Sequence, residues 1–290
     1  MNSFNNKRVL VLGASSWLGY LLVEKLGSTS ASVAGTVFKS NVIFPESIEI
    51  FRTENSKDNY DKIIKSFKPT VIVNFLRGED KEGFELHQKI ITLSKDFNIH
   101  YIYASSVLAL DGYKNKKLTE SLEAKSVSPY GIFKANCERE LYKSSILWTV
   151  LRFSSVQGWV SHKPTRNQVF LEKLANNLIV NVDRGVKQNR ILATLLIEGL
   201  LDLIKDKVTG IIHFGAKDAS EEYVFLQKQA QLFGFNKDLV QLVDMDRNVN
   251  LVAIPEKMYQ LYNGKYKVSE DKTLQGLLEI EALKAFKIRK

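Results

Sequence analysis

Five short apolar runs recur between residues 8 and 153, and segments of helical period stand between them. The runs cover residues 8–12, 32–38, 71–75, 100–104 and 148–153, and the helical segments 17–26, 60–67, 84–97 and 130–144. Continuous apolar runs of this length read as strands buried on both faces, the pattern of a parallel sheet rather than an antiparallel one. Strands alternating with helices of crossover length predict an α/β fold, a doubly wound parallel sheet of Rossmann type. Beyond residue 153 the pattern loosens. Residues 160–167 are polar, contain Pro164 and read as a loop. Helices are expected at 168–178, 192–204 and 222–233, and a strand at 210–214. The organisation expected is a dinucleotide-binding domain over 1–153, with strands returning from about 186–215, and a smaller, interlocked substrate lobe over 154–290.

Size and composition narrow the class. The chain has 290 residues, 44% of them hydrophobic and 25% charged, enough for a sizeable core without staples. Its one cysteine, Cys137, excludes an intrachain disulfide and a cysteine-based metal cluster. The net charge of +9 is compatible with phosphate-bearing ligands. The densest basic groups, Lys114, Lys116 and Lys117 and then Lys284, Lys287, Arg289 and Lys290, read as solvated surface. No basic-aromatic module points to nucleic acid, and no apolar run approaches a membrane span. The apolar stretch before Gly13 is too short for a signal-peptide core, so a cytoplasmic setting is expected.

Four local patterns carry chemistry. GASSWLG (13–19) follows the first strand and opens the first helix, where backbone N–H groups and the helix dipole can face a pyrophosphate. Gly13 permits the tight turn and Gly19 the close helix packing, while Ser16 stands where a middle glycine is usual. Ser105 and Ser106 end the fourth strand, on the side of a parallel sheet where ligands bind. Ser106 is placed to hydrogen-bond a carbonyl. Tyr130 and Lys134, spaced i, i+4 on a helix that Pro129 opens, bring a phenol and an ammonium to one face. A nearby ammonium favours the phenolate, so Lys134 is expected to lower the Tyr130 pKa. The end of strand two, GTVFKS (35–40), carries no acid for a ribose 2′-hydroxyl and offers Lys39 to a 2′-phosphate. NADP(H) is therefore favoured over NAD(H). His87, His100, His162 and His213 show no ligand spacing and read as structural or surface residues, and no metal site is expected.

Taken in order, these patterns resemble the extended short-chain dehydrogenase/reductase superfamily. The nearest likeness is to dTDP-4-dehydrorhamnose reductases and other sugar-nucleotide reductases and epimerases. KPTVIVN (68–74), ASSVLALDG (104–112), Thr119-Glu120 with PYGIFK (129–134) and Glu138, VLRFSSVQG (150–158) and GIIHFG (210–215) carry it. The resemblance implies a nicotinamide cofactor held by Gly13, Ser15, Ser16, Trp17, Leu18, Gly19, Lys39, Asn74, Phe75, Leu76, Ala104, Tyr130 and Lys134. It implies hydride delivery to the ring ketone of a nucleotide-linked keto sugar. Tyr130 would be the proton donor, Lys134 the ribose holder and Ser106 the carbonyl ligand. Ser106, Val107, Ser154 and Ser155 would meet the substrate, and the likeness leaves room for a homodimer. Phe75 and Leu76, Val107 and Leu108, and Ser155 and Gln157 depart from that branch at positions that shape recognition, and a bulky Phe75 would crowd the cofactor. Two alternatives stay open: an epimerase that uses the cofactor catalytically, and a non-catalytic NADP-binding regulatory subunit. A dehydratase is disfavoured, because Val107 and Leu108 supply no extra carboxylate.

Overall fold

The structure, a computed structural model, describes residues 4–53, 57–113 and 116–287. Of the basic groups named above, Lys114, Arg289 and Lys290 lie outside the described residues. In chain order the elements are β1 (Arg8–Leu12), α1 (Trp17–Gly27), β2 (Ser32–Val37), β3 (Glu49–Arg52), α2 (Lys57–Phe67), β4 (Val71–Asn74), α3 (Lys81–Asp96), β5 (His100–Ala104), a 3-10 turn (Val107–Leu110), α4 (Pro129–Lys143) and β6 (Trp148–Phe153). There follow β7 (Ser155–Gln157), α5 (Arg166–Ala175), β8 (Val180–Gln188), β9 (Arg190–Leu192), α6 (Ala193–Asp206), β10 (Gly210–Phe214), β11 (Ser220–Glu221), α7 (Glu222–Leu232), a 3-10 turn (Lys237–Leu239), β12 (Val240–Leu251), α8 (Glu256–Leu261), α9 (Glu270–Glu279) and α10 (Glu281–Lys284).

The chain divides into two compact units. The first comprises Met1–Ala109, Ala124–Arg152 and Ile197–Ile212, and the second Leu110–Glu123, Phe153–Leu196 and His213–Lys290. Segment 110–123 thus goes to the second unit, although it lies within the span expected for the first.

A seven-stranded sheet in the order β10-β6-β5-β4-β1-β2-β3 has the doubly wound Rossmann topology. The β1–β2, β1–β4, β2–β3, β4–β5 and β5–β6 pairs are all parallel. Strand order reverses at β1 and β4, where Leu12 pairs with Asn74. At this switch point the carboxyl ends of two neighbouring strands open a crevice. Leu10, Leu12, Ile72, Tyr101 and Val150 fill one core with Ile64, Ile90 and Leu141 from α2, α3 and α4. Short polar signals end the elements: Lys68 at φ +51° stops α2 ahead of Pro69, and Asp80 and Ser128 cap α3 and α4.

In the second unit β12 pairs β8 in parallel with two register shifts, β11 pairs β8 antiparallel, and β7 pairs β9 in parallel. Its own core joins Phe170, Leu171 and Leu174 of α5 with Phe225, Phe233, Leu274, Leu277 and Leu283. The sequence pattern misses β3, β8, β12 and the short strands of this unit, and the loop expected at 160–167 already starts α5 at Arg166. Among the described residues no helix is long and apolar enough to cross a membrane.

Candidate active site

The turn after β1 is built on two glycines. Gly13 takes φ +74°, and its N–H donates to Thr36 Oγ1 at 3.1 Å. A Cβ at position 19 would run into the Gly13 carbonyl oxygen and Ser16 Oγ, so only glycine lets α1 approach this closely. Ser16, in place of a third glycine, is the N-cap of α1, and its Oγ accepts from Gly19 N at 3.1 Å. The departure at Ser16 therefore serves the helix start. Ser15, Trp17 and Leu18 are partly buried around it.

At the end of β4, buried Asn74 donates through Nδ2 to Tyr101 OH at 2.6 Å and accepts from Leu76 N at 2.8 Å. Phe75 is also buried, with its backbone closing on Gly13. His87 joins the cluster, its ring nitrogens 3.0 Å from Tyr101 OH and 3.0 Å from the Cys137 carbonyl. Burial lowers the His87 pKa to about 4 and raises that of the Cys137 thiol to about 11, so both are uncharged at neutral pH.

β5 and α4 supply the hydroxyl, the phenol and the ammonium. Ser105 Oγ donates to Glu138 Oε1 at 2.5 Å. Glu138 in turn accepts from Arg152 Nε (3.0 Å) and Nη2 (2.5 Å) in a wholly buried ion pair. α4 is thus tied to the ends of both β5 and β6. Ser106 Oγ accepts from Leu108 N at 3.2 Å and opens the 3-10 turn, in which Val107 is fully buried. Gly131 lets that turn and the start of α4 touch: a Cβ there would overlap the Leu108 carbonyl oxygen and Ser126 Oγ. Tyr130, the residue before Gly131, consequently starts its helix against the turn that bears Ser106, and Arg77 and Ser106 both act to favour its phenolate.

Lys134, only 4% exposed, points past the phenol. Its Nζ donates to the Ala104 carbonyl at 3.0 Å and lies over the Tyr103 ring at 4.8 Å, against 5.6 Å to the Tyr130 ring. Burial lowers its pKa to about 8. The Tyr130 pKa lies above its ordinary value because desolvation outweighs the opposing influence of Arg77 and Ser106. This corrects the expectation that Lys134 lowers the Tyr130 pKa: the net shift is upward, because burial dominates. Arg77 sits on a loop between strand and helix, where no periodicity announces it.

The structure therefore brings Ser106, Tyr130, Lys134 and Ala104 together. A cavity of about 850 Å³ lies in the same unit, lined by Phe38, Thr53, Asn74, Leu76, Arg77, His87, Tyr103, Phe133 and Cys137 among others. Of the expected cofactor residues, only Asn74 and Leu76 line it. Lys39 is exposed, with Nζ 4.9 Å from the Phe38 ring centroid. In the second unit, Ser154 Oγ donates to Gln188 Oε1 at 3.0 Å, and buried Ser155 accepts from Gln157 Nε2 at 2.7 Å. His213 is wholly buried, and His100 is buried with Nε2 2.7 Å from Thr149 Oγ1. Among the described residues no three His, Cys, Asp or Glu side chains group as metal ligands.

No protein-family model and no curated protein matches this chain. Solved structures do. The dTDP-glucose 4,6-dehydratase of Bacillus anthracis, in complex with NAD, superposes with a TM-score of 0.82 at 14% identity, covering 94% of this chain and 96% of the other. The UDP-glucose 4-epimerase of Thermus thermophilus, in complex with NAD, gives 0.79 at 18% identity, covering 94% and 98%. The dTDP-4-dehydrorhamnose reductase of Bacillus anthracis, in complex with NADP, gives 0.75 at 13% identity, covering 94% and 99%. At these identities the likeness shows the fold: a Rossmann-type architecture shared over nearly the whole length.

Proposed function

We propose that the chain is a nicotinamide-dependent reductase of the sugar-nucleotide-modifying kind, acting on the ring ketone of a nucleotide-linked keto sugar. The observation that carries this reading is the convergence of Ser106, Tyr130 and Lys134 at one end of a sheet whose switch point carries a dinucleotide-type glycine turn. The solved relatives that share the fold act on nucleotide sugars with NAD or NADP bound, and they support it.

The residues fit the cofactor. Gly13 and Gly19 keep side chains out of the turn, and the first N–H groups of α1 are suited to a pyrophosphate. Lys39 supports NADP(H) over NAD(H). When bound, the cofactor supplies hydride. Ser106 then hydrogen-bonds the carbonyl oxygen, and Tyr130 gives its proton to that oxygen as it becomes an alkoxide. Lys134 holds the cofactor ribose.

The test has two stages. Titration with NADPH and NADH should show tighter NADPH binding, with the preference reduced in Lys39→Ala. A panel of keto-sugar nucleotides followed by NADPH absorbance should then yield a substrate. Turnover of that substrate should fall by about 10²-fold or more in Tyr130→Phe while NADPH binding is spared. Binding of neither cofactor would remove the reading, and near-normal turnover by Tyr130→Phe would remove the assigned proton donor.

A further inference from the structure

Strand alternation sets Tyr101 and Tyr103 of β5 on one face of the sheet, their ring centroids 6.4 Å apart. His87 of α3 packs against both, 5.6 Å from the first ring and 4.7 Å from the second. The imidazole is held at both of its nitrogens. The Cys137 carbonyl can only accept, so Nε2 donates to it at 3.0 Å, and Nδ1 accepts from Tyr101 OH at 3.0 Å. Tyr101 OH in turn accepts from Asn74 Nδ2 at 2.6 Å. A one-way chain of hydrogen bonds thus fixes the imidazole against which the Tyr103 ring rests.

The Tyr103 ring also meets Lys134. Lys134 Nζ lies over it, 4.8 Å from the centroid, nearer than to the rings of Tyr130 at 5.6 Å and Phe133 at 6.0 Å. The carbonyl of the next residue, Ala104, accepts from the same nitrogen at 3.0 Å. A lysine side chain is a flexible four-carbon stem, and an ammonium as deeply buried as this one needs partners that fix its place. The carbonyl takes one of its three N–H bonds. The negative face of an aromatic ring attracts the remaining charge, most strongly where water is excluded. Tyr103 is itself buried, so water does not compete for that face.

We propose that Tyr103 is the positioning residue for Lys134: the face of its ring, backed by His87, and the Ala104 carbonyl beside it form the seat that holds the ammonium at the carboxyl end of β5. The inference rests on the reading of Lys134 as the residue that holds the cofactor ribose. Helix spacing puts Lys134 on the face of α4 that carries Tyr130, and the seat decides where along that face the charge stands. Burial opposes the charged form and the ring favours it, so weakening the ring must make the proton easier to lose. The other ionisable groups that act on the ammonium are Cys137, Glu79, Arg77 and Glu138, and altering the ring alone leaves their number and charge unchanged.

The test is a carbon-13 NMR titration of the full chain labelled at its lysine ε carbons, in which Lys134→Gln identifies the Lys134 signal by its loss. Tyr103→Phe keeps the ring and its face, and the Lys134 midpoint should match that of the unaltered chain. A 3,4,5-trifluorophenylalanine placed at position 103 keeps the shape of the ring and withdraws the negative charge from its face. It should bring the midpoint down by roughly half a pH unit or more from that of Tyr103→Phe, the size expected of a desolvated ammonium over a ring. Equal midpoints in the phenylalanine and trifluorophenylalanine chains, or the same drop in both, would overturn the proposal. A ring that only fills space gives equal midpoints, since the two replacements pack alike while circular dichroism reports the folded state. NADPH titration of the unaltered chain judges the wider reading separately: failure to bind the cofactor would sink that reading and leave the carbon-13 result standing on its own.

Discussion

Each compact unit is organised around a fully buried arginine, and the two solve the same problem differently. In the first unit, Arg152 at the end of β6 meets Glu138 on the preceding helix, 14 residues away, through two of its nitrogens. Ser105 and Tyr142 hydrogen-bond the same carboxylate. In the second unit, Arg190 divides its charge between Glu222 and Glu270, 32 and 80 residues away, and lies 4.2 Å from the centre of the Phe225 ring. A buried ion costs several kcal/mol unless it is paired and hydrogen-bonded, so both arrangements are needed where they stand. The difference lies in range and redundancy. The first unit pairs its charge within one helix-strand step, whereas the second gathers partners from distant parts of its chain and shares the load.

The largest expected effect comes from breaking the tighter arrangement. Glu138→Gln should lower unfolding free energy by about 3–5 kcal/mol in urea titration, because it removes the charge from a wholly buried pair and leaves the Arg152 guanidinium behind. A loss below about 1 kcal/mol would mean that the remaining neighbours of Arg152 carry its charge, and the contrast with Arg190 would disappear.

Next in size is an acid sensitivity of the first unit. Burial brings His87 and His100 from an ordinary 6.5 to about 4, so both stay neutral in the folded chain while the unfolded chain takes up protons below about pH 6.5. Stability from these groups is present above that pH and is lost as pH falls toward 4. The loss is roughly 3 kcal/mol for each group at the lower limit. Urea midpoints measured between pH 7 and 4 should fall accordingly, and hydrogen exchange should quicken in α3 and β5 ahead of α7 and β8. Replacing both histidines by glutamine should flatten the slope. An unchanged slope would place the acid sensitivity in other groups.

The smallest effect should come from the redundant arrangement. Glu222 is 28% exposed, and Arg190 keeps Glu270 when Glu222 is neutralised. Glu222→Gln should therefore cost about 1 kcal/mol by the same measurement. A cost as large as that of Glu138→Gln would show that the shared pair is no more tolerant than the tight one.

The same contrast governs what was legible beforehand. β1, β4, β5 and β6 are apolar on both faces and announce themselves as runs, and α1, α3 and α4 carry their stop and start residues in the sequence. β8 reads VNVDRGVKQ and is half exposed, and β12 breaks its register twice, so neither keeps a period long enough to recognise. β3 is four residues at the sheet edge, with two of them exposed. Ser106, Tyr130 and Lys134 were visible because a strand end and a helix repeat place them. Arg77, which lines the cavity, was not, because it sits in the loop between β4 and α3, where no periodicity marks it. Nor can spacing tell that Lys134 bends toward Ala104.

The contact that Gly131 permits reaches beyond packing. Because a side chain at 131 would overlap the Leu108 carbonyl, the backbones of the turn bearing Ser106 and of the helix bearing Tyr130 are packed together before any ligand arrives. A ligand that uses both need not freeze them into register, so little of its intrinsic affinity is lost to ordering this part of the protein. Its arrival there should follow a single kinetic phase whose rate rises linearly with ligand concentration, with no plateau from a slow internal rearrangement.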